Sequence, residues 1–285
     1  LTDSAKDMFG KLMSIPDTLI TRYYSLLTDV EQSELVKMDK EIEKKCEKVI
    51  EYRFSDPRKA YNICSEILEH GISNEEAYEV AYARLYMGDT MFSMGEFQKA
   101  LANMMLAKKV QEKYGYQDLL MKTYNIIAII YVNQGDDLLG LDYYYKSLKL
   151  ARECGNKVMM RMVYNNIGAL LNNAGDAAGA AEYFRKVYEL CQKREQRDSK
   201  KIDNKKQYLV NLAVGYLGEK KYKQARKYLD MASMESDGKS QDCCSAAEIN
   251  RIVDSVRVYV ETGNKAAAIK EAENILSLPE KILKM

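Results

Sequence analysis

The sequence is poor in the residues that break helices, that shuttle protons and that hold a chain in a bilayer. Only three prolines (Pro16, Pro57 and Pro279) occur in 285 residues. With abundant Ala, Leu, Lys, Glu, Met and Tyr, that excludes a turn-rich sheet protein and predicts helix after helix with short breaks. A single histidine, His70, leaves little material for nucleophile–base pairs. The longest apolar run, Ile126 to Val132, falls far short of the ~20 residues of a bilayer-spanning helix. Excess charge of one sign is missing too: 43 basic residues face 42 acidic ones, so no global field recruits nucleic acid or a membrane. The start of the chain shows no basic stretch followed by an apolar run, so no secretory signal is expected and the expected location is the cytoplasm.

What is present suffices to fold. Hydrophobic residues make up 47% and charged residues 30%, which excludes intrinsic disorder and leaves one elongated domain or two compact ones. The six cysteines (Cys46, Cys64, Cys154, Cys191, Cys243 and Cys244) form no CxxC motif and read as reduced core thiols. Zinc-ligand spacing, a Walker loop and a strand-borne GxGxxG are all missing, so neither a metal nor another cofactor is expected and the chain reads as a non-enzyme. His70, before Gly71, is expected to end a helix and face its free carbonyls.

Self-comparison exposes the architecture. Tyr164 to Leu190 realigns without a gap on Tyr124 to Leu150 at an offset of 40 residues, and a further shift of 40 brings Arg84 to Val110 into the same frame. One more shift places Ser55, Asp56 and Ala60 at its turn; Leu209 to Ala232 and Ile252 to Ile275 fit at intervals of about 45 and 43 residues. Six units thus fill Ile42 to Leu278. Each reads as a first helix, a turn at Gly95, Gly135, Gly175 or Gly263, and a second helix with a small residue at a fixed place: Ala60, Ala100, Gly140, Ala180, Ala225 and Ala268. Small side chains there, opposite Gly88, Ala128, Gly168 and Ala213, predict close helix approach. Asp136, Asp176 and Asn264 follow the turn glycines and suit helix capping.

The pattern Tyr164, Ile167, Gly168, Ala180, Phe184, echoed by Tyr124, Ile127, Tyr131, Tyr144 and by Leu212, Ala213, Tyr216, Ala225, Leu229, resembles the tetratricopeptide repeat. The period of 40 exceeds the usual 34, which implies lengthened helices or loops, and the customary proline after the second helix is missing. Lengthened repeats of this kind look like the helical sensor regions of bacterial signalling proteins, namely peptide-responsive quorum-sensing regulators and modules preceding diguanylate cyclase domains. The resemblance implies an all-α, right-handed superhelix of about six hairpins. Such a sensor would normally carry an effector domain, attached or separate.

Residues 5–35, with the words MFGKLMSIPD and YYSLLTDVE, resemble a different family, bacterial tyrosyl-tRNA synthetase, just after its ATP-binding signature loop. Neither a HIGH-type nor a KMSKS-type sequence is present, so no catalytic residue carries over. Residues 1–37 read as a separate helical segment and 38–285 as the repeat domain. Leucine at position 1 and the natural start offered by Met38 favour a junction there, with a native helical cap as the other reading.

In a stack of hairpins the first helices line the concave face. The repeat frame puts Tyr82, Tyr86, Asp89, Lys122, Asn125, Asn133, Asn165, Asn166, Asn173 and Asn211 on that stripe. A primary amide donates and accepts at once, so recurring asparagines can pair with the main chain of an extended peptide. The quorum-sensing resemblance implies such a role for Asn125, Asn166 and Asn211; asparagines bonding between helices are the structural alternative. From Lys193 to Lys227, twelve basic residues stand against four acidic ones. That stretch reads as a solvated helix and loop, with nucleic-acid binding as an alternative. The expected function is a peptide- or protein-binding scaffold without catalysis, and the expected partner is a peptide or protein segment, not a membrane.

Overall fold

The computed structural model describes residues 40–195, 205–234 and 246–276. The expected boundary at residue 37, the segment resembling a synthetase, the centre of the basic stretch and the Cys243–Cys244 pair lie outside these residues.

Twelve α-helices and no strand occur among the described residues: α1 (Lys40–Ser55), α2 (Pro57–Ser73), α3 (Ala77–Ser93), α4 (Phe97–Tyr114), α5 (Gln117–Asn133), α6 (Asp137–Glu153), α7 (Lys157–Asn173), α8 (Ala177–Glu195), α9 (Lys205–Gly218), α10 (Tyr222–Met234), α11 (Ala246–Glu261) and α12 (Lys265–Leu276). They pair as the repeat frame predicts, odd-numbered helices being the first of each hairpin. The extra residues of the long period sit in the helices. From α3 to α7 each helix has 17 or 18 residues, while the connections stay at two or three.

The turn chemistry repeats. Gly95, Gly135, Gly175 and Gly263 are left-handed, with φ of 78°, 84°, 84° and 72°. In each case the glycine N–H and the next N–H fold back onto carbonyls of the preceding helix, as in Gly135 to Val132 (3.0 Å) and Asp136 to Tyr131 (3.0 Å). The side chains of Asp136, Asp176 and Asn264 then accept from Leu139, Gly179 and Ala267 N–H groups at 3.0, 2.9 and 3.3 Å, the capping expected of them.

The chain divides into two units, Leu1–Met159 and Met160–Met285, a boundary inside α7 that the unbroken period does not foreshadow. In the first unit α3 is packed by α1, α2, α4 and α5, so every residue from Ala77 to Met91 except Tyr78 is buried. Arg84, at the frame position of Tyr124 and Tyr164, is wholly buried and donates from Nη1 to Asn103 Oδ1 at 3.2 Å. In the second unit Leu209, Val210, Ala213, Ala225, Leu229 and Val258 form the core, with Tyr188, Tyr216 and Tyr228 packed against it. Small residues govern the approach of paired helices. A Cβ placed on Gly140 would lie 3.1 Å from the Ala128 carbonyl oxygen, and one on Gly168 would lie 2.6 Å from Phe184.

His70 departs from expectation. α2 runs on to Ser73, and His70 Nδ1 lies 2.7 Å from the carboxylate of Glu79 on α3. Gly71 stays helical because α3 crosses there: a Cβ would sit 3.0 Å from that of Glu79. The carbonyl of His70 takes the N–H of Asn74, so the residue after the helix caps it and the imidazole does not. Of the described cysteines, Cys46, Cys64 and Cys191 are buried, but Cys154 is exposed, a correction to the reading of the thiols as core residues.

Candidate functional site

First helices of successive hairpins touch directly, α1 with α3 and α3 with α5 in the first unit, α9 with α11 in the second. They form the layer on which the expected binding residues lie.

In the first unit this layer is tightly filled. Tyr82 is 8% exposed and Tyr86 5%; their ring centroids are 4.5 Å apart, and the Tyr82 hydroxyl donates to the Cys46 carbonyl at 3.0 Å. Asp89 is buried and receives Arg53 Nη1 at 3.4 Å. Burial raises the Asp89 carboxyl above its ordinary value while Arg53 pulls it down, and burial pushes the Tyr86 hydroxyl up to about 12. Arg53 also lies over the Phe54 ring at 4.4 Å. These side chains lock α1 to α3, where the repeat frame had them lining an open surface. Asn125 is buried at 4% exposure and Lys122 half-buried. Asn133, exposed, donates to the Ile129 carbonyl of its own helix at 2.8 Å.

In the second unit the amides meet. Gln207 Nε2 donates to Asn211 Oδ1 at 2.7 Å, and Asn211 Nδ2 donates to Asn165 Oδ1 at 2.7 Å. This chain of three half-buried amides runs from α9 to α7. In this chain Gln207 donates, Asn165 accepts and Asn211 does both, so each amide retains capacity for a main-chain N–H or C=O. Asn166 is half-buried and Asn173 exposed. Two helical turns beyond the amides, a cavity of about 400 Å³ is lined by Asn172 of α7, Val214, Leu217 and Gly218 of α9, Lys220 and Tyr222 of the next turn and helix, and Arg257 and Glu261 of α11. Sequence reasoning missed Arg257, Glu261 and Tyr222. The longer intervals after residue 190 blur the register there, and only the recurring turn position could have pointed to Lys220. Among the described residues no group of His, Cys, Asp and Glu side chains could hold a metal ion, and no helix is long and apolar enough to cross a membrane.

The repeat geometry has counterparts. Residues 118–193 match the family model described as tetratricopeptide repeat. Among solved structures, that of NprR in complex with its cognate peptide NprX aligns with a TM-score of 0.56 at 13% identity, covering 94% of this chain and 75% of NprR; the apo form of NprR, a quorum sensor from B. thuringiensis, is similar as well. The apo form of RapI aligns with a TM-score of 0.57 at 16% identity, covering 84% of this chain and all of RapI. At such identities the likeness is one of fold, and the fold is that of a tetratricopeptide-like stack of helical hairpins. Among curated proteins, 31 residues are 61% identical to tyrosine–tRNA ligase 2 of Photorhabdus laumondii, which is 11% of this chain and 8% of that protein. A further match, to the tyrosine–tRNA ligase of Campylobacter jejuni, is 37% identical over 78 residues, covering 27% and 18%. The chain spans under a fifth of the length of these relatives.

Proposed function

We propose that the chain is a non-catalytic scaffold that binds an extended peptide or protein segment along its first-helix layer. In this reading it is the sensory part of a cytoplasmic bacterial signalling protein whose effector domain is attached or separate. The observation that carries it is the chain Gln207–Asn211–Asn165, in which three amides on adjacent helices are held by one another at 2.7 Å. Fixed amides bond main-chain groups whatever side chains the ligand has, without first losing rotamer freedom. The structural likeness to NprR, solved with its cognate peptide, supports the same reading. In the first unit the packed Tyr82–Tyr86–Asp89 cluster sets the relation of α1 to α3, so ligand contact is assigned to Asn165, Asn166, Asn173 and Asn211.

Native mass spectrometry of the purified chain with a hexapeptide library tests this. Wild type should retain peptide, and Asn165→Ala with Asn211→Ala should weaken retention by about tenfold or more, since each lost hydrogen bond is worth about 0.5–1.5 kcal/mol. Equal retention by the double variant moves the site elsewhere. Turnover of tyrosine, ATP and tRNA by the chain would overturn the non-catalytic reading.

A further inference from the structure

The hairpin of α11 with α12 carries bare apolar side chains at places where earlier hairpins bury theirs. Val253, Val260 and Ile269 are 50%, 60% and 59% exposed. Val253 and Val260 follow Val210 and Leu217 at an interval of 43 residues. Those two are 1% and 8% exposed, in the core cluster that includes Val258 and Tyr259 of α11. Ile269 stands at the frame position of Ala181, which is completely buried. There the following hairpin comes close: a Cβ on Gly215 would lie 2.9 Å from Ala181 Cα. In a stack of hairpins such positions receive the next hairpin, and a terminal repeat ordinarily turns a polar face outward. An apolar face kept at this place is one that another surface covers.

The charges on the same side of α11 say which surface. Arg257 and Glu261 stand four and eight residues after Val253, on one face of the helix. Both are exposed, and among the described residues neither makes a hydrogen bond or an ion pair. They do not pair with each other, although Asp142 with Lys146 and Glu182 with Lys186, also four apart, close to 2.6 Å. In α11 the cation comes first, the less favourable order within one helix.

A second α11 laid antiparallel across the first, with a twofold axis midway between the two charges, satisfies both. Arg257 of each copy then opposes Glu261 of the other, and the two Val260 side chains meet near the axis. The same patch serves both copies, as an isologous contact requires. A partner segment of one charge sign would leave either the guanidinium or the carboxylate opposed by its like.

We infer that two copies of this chain associate through the α11–α12 hairpin, α11 antiparallel to α11, with Val253, Val260 and Ile269 as the apolar contact and Arg257–Glu261 pairs across the axis. The inference is independent of the peptide-binding reading.

Sedimentation velocity of the full chain, from low to high micromolar concentration, reads the association. Wild type should pass from monomer to dimer. Val260→Glu, Arg257→Glu and Glu261→Arg should each weaken the dimer about tenfold or more, because like charges then face each other across the axis. The decisive arm mixes the two charge variants. One copy then offers two carboxylates and the other two guanidinium groups, and the mixture should dimerise about as well as wild type. Neither a misfolded variant nor a charge pair within one chain is rescued in this way. A wild type that stays monomeric throughout, or a mixture that associates no better than its components, overturns the inference. In a monomeric wild type, a melting temperature lowered by Val260→Glu would give the face to the chain's own residues 277–285. An unchanged one would leave it to a partner of another sequence, and either result overturns association of two copies.

Discussion

Asn211 Nδ2 lies 2.7 Å from Asn165 Oδ1, 46 residues earlier in the chain, and this bond joins the first helices of two successive hairpins. Amides that serve a ligand and amides that serve the fold make different predictions at this pair. A double-mutant cycle with Asn165→Ala and Asn211→Ala, read by urea unfolding, should give a coupling of about 0.5–1.5 kcal/mol. If the pair also grips a peptide, the same cycle on peptide affinity should show a second coupling. No coupling in stability would mean that the 2.7 Å contact does not bind α9 to α7.

Replacing the left-handed lysine should stabilise the protein. Lys220→Gly removes a Cβ from φ 58°, worth about 1 kcal/mol, or a rise in melting temperature of about 2–4 °C for a unit of this size. The same change at Glu75, with φ of 62°, should act likewise. A fall in melting temperature at both would show that the side chains contribute more than the backbone strain costs.

Close approach of α8 and α9 should tolerate no added methyl. A Cβ on Gly215 would stand 2.9 Å from Ala181 Cα, and a backbone atom cannot turn aside as a side chain can. Gly215→Ala should cost about 1–3 kcal/mol, measured by thermal or urea unfolding. An unchanged midpoint would place the helices farther apart.

The Asp89 carboxyl is held above its ordinary value of 3.8 by burial, against the pull of Arg53. The folded state therefore binds this proton more tightly than the unfolded state. Its contribution to stability is full at low pH and is lost as pH rises from the unfolded value through the folded one. Asp89→Asn cannot ionise, so the stability of wild type minus that of the variant should decline from about pH 4 upward. A difference that grows with pH would mean that the pair with Arg53 outweighs burial.

Thiol labelling should separate exposed from packed cysteines. Burial pushes the Cys46 thiol up to about 12 and raises Cys64 as well, whereas Cys154 is exposed. Cys154→Ser should remove one fast-reacting thiol from the native protein at about pH 8, and Cys64→Ser none. Rapid labelling lost in Cys64→Ser would contradict the packing of α2.

The repeat was legible because packing imposes a small residue at a fixed interval. Ala60, Ala100, Ala180 and Ala225 are completely buried, and Gly140 is buried as well, each where its helix meets the one before. The turn glycines were legible for a similar reason, since few residues adopt a positive φ cheaply. The candidate site was legible only in part. The frame identified the faces carrying Asn165 and Asn211, but periodicity cannot tell a face that stays open from one that a neighbouring helix covers. Tyr82, Tyr86 and Asp89 therefore turned out to be packed by α1. His70 misled because Gly71 reads as a helix stop, while its small size serves the crossing of α3.

Composition and period alone determined an all-helical chain of hairpins, its turns, its caps and the residues at each helix crossing, because these depend on contacts a few residues apart or on a spacing copied from unit to unit. The meeting of Asn165 with Asn211, the burial of Arg84 and Glu79, and the gathering of Lys220 with Arg257 around one cavity were decided by tertiary structure. Each joins residues from separate helices, and how those helices lie against one another depends on the side chains between them, which differ from one hairpin to the next.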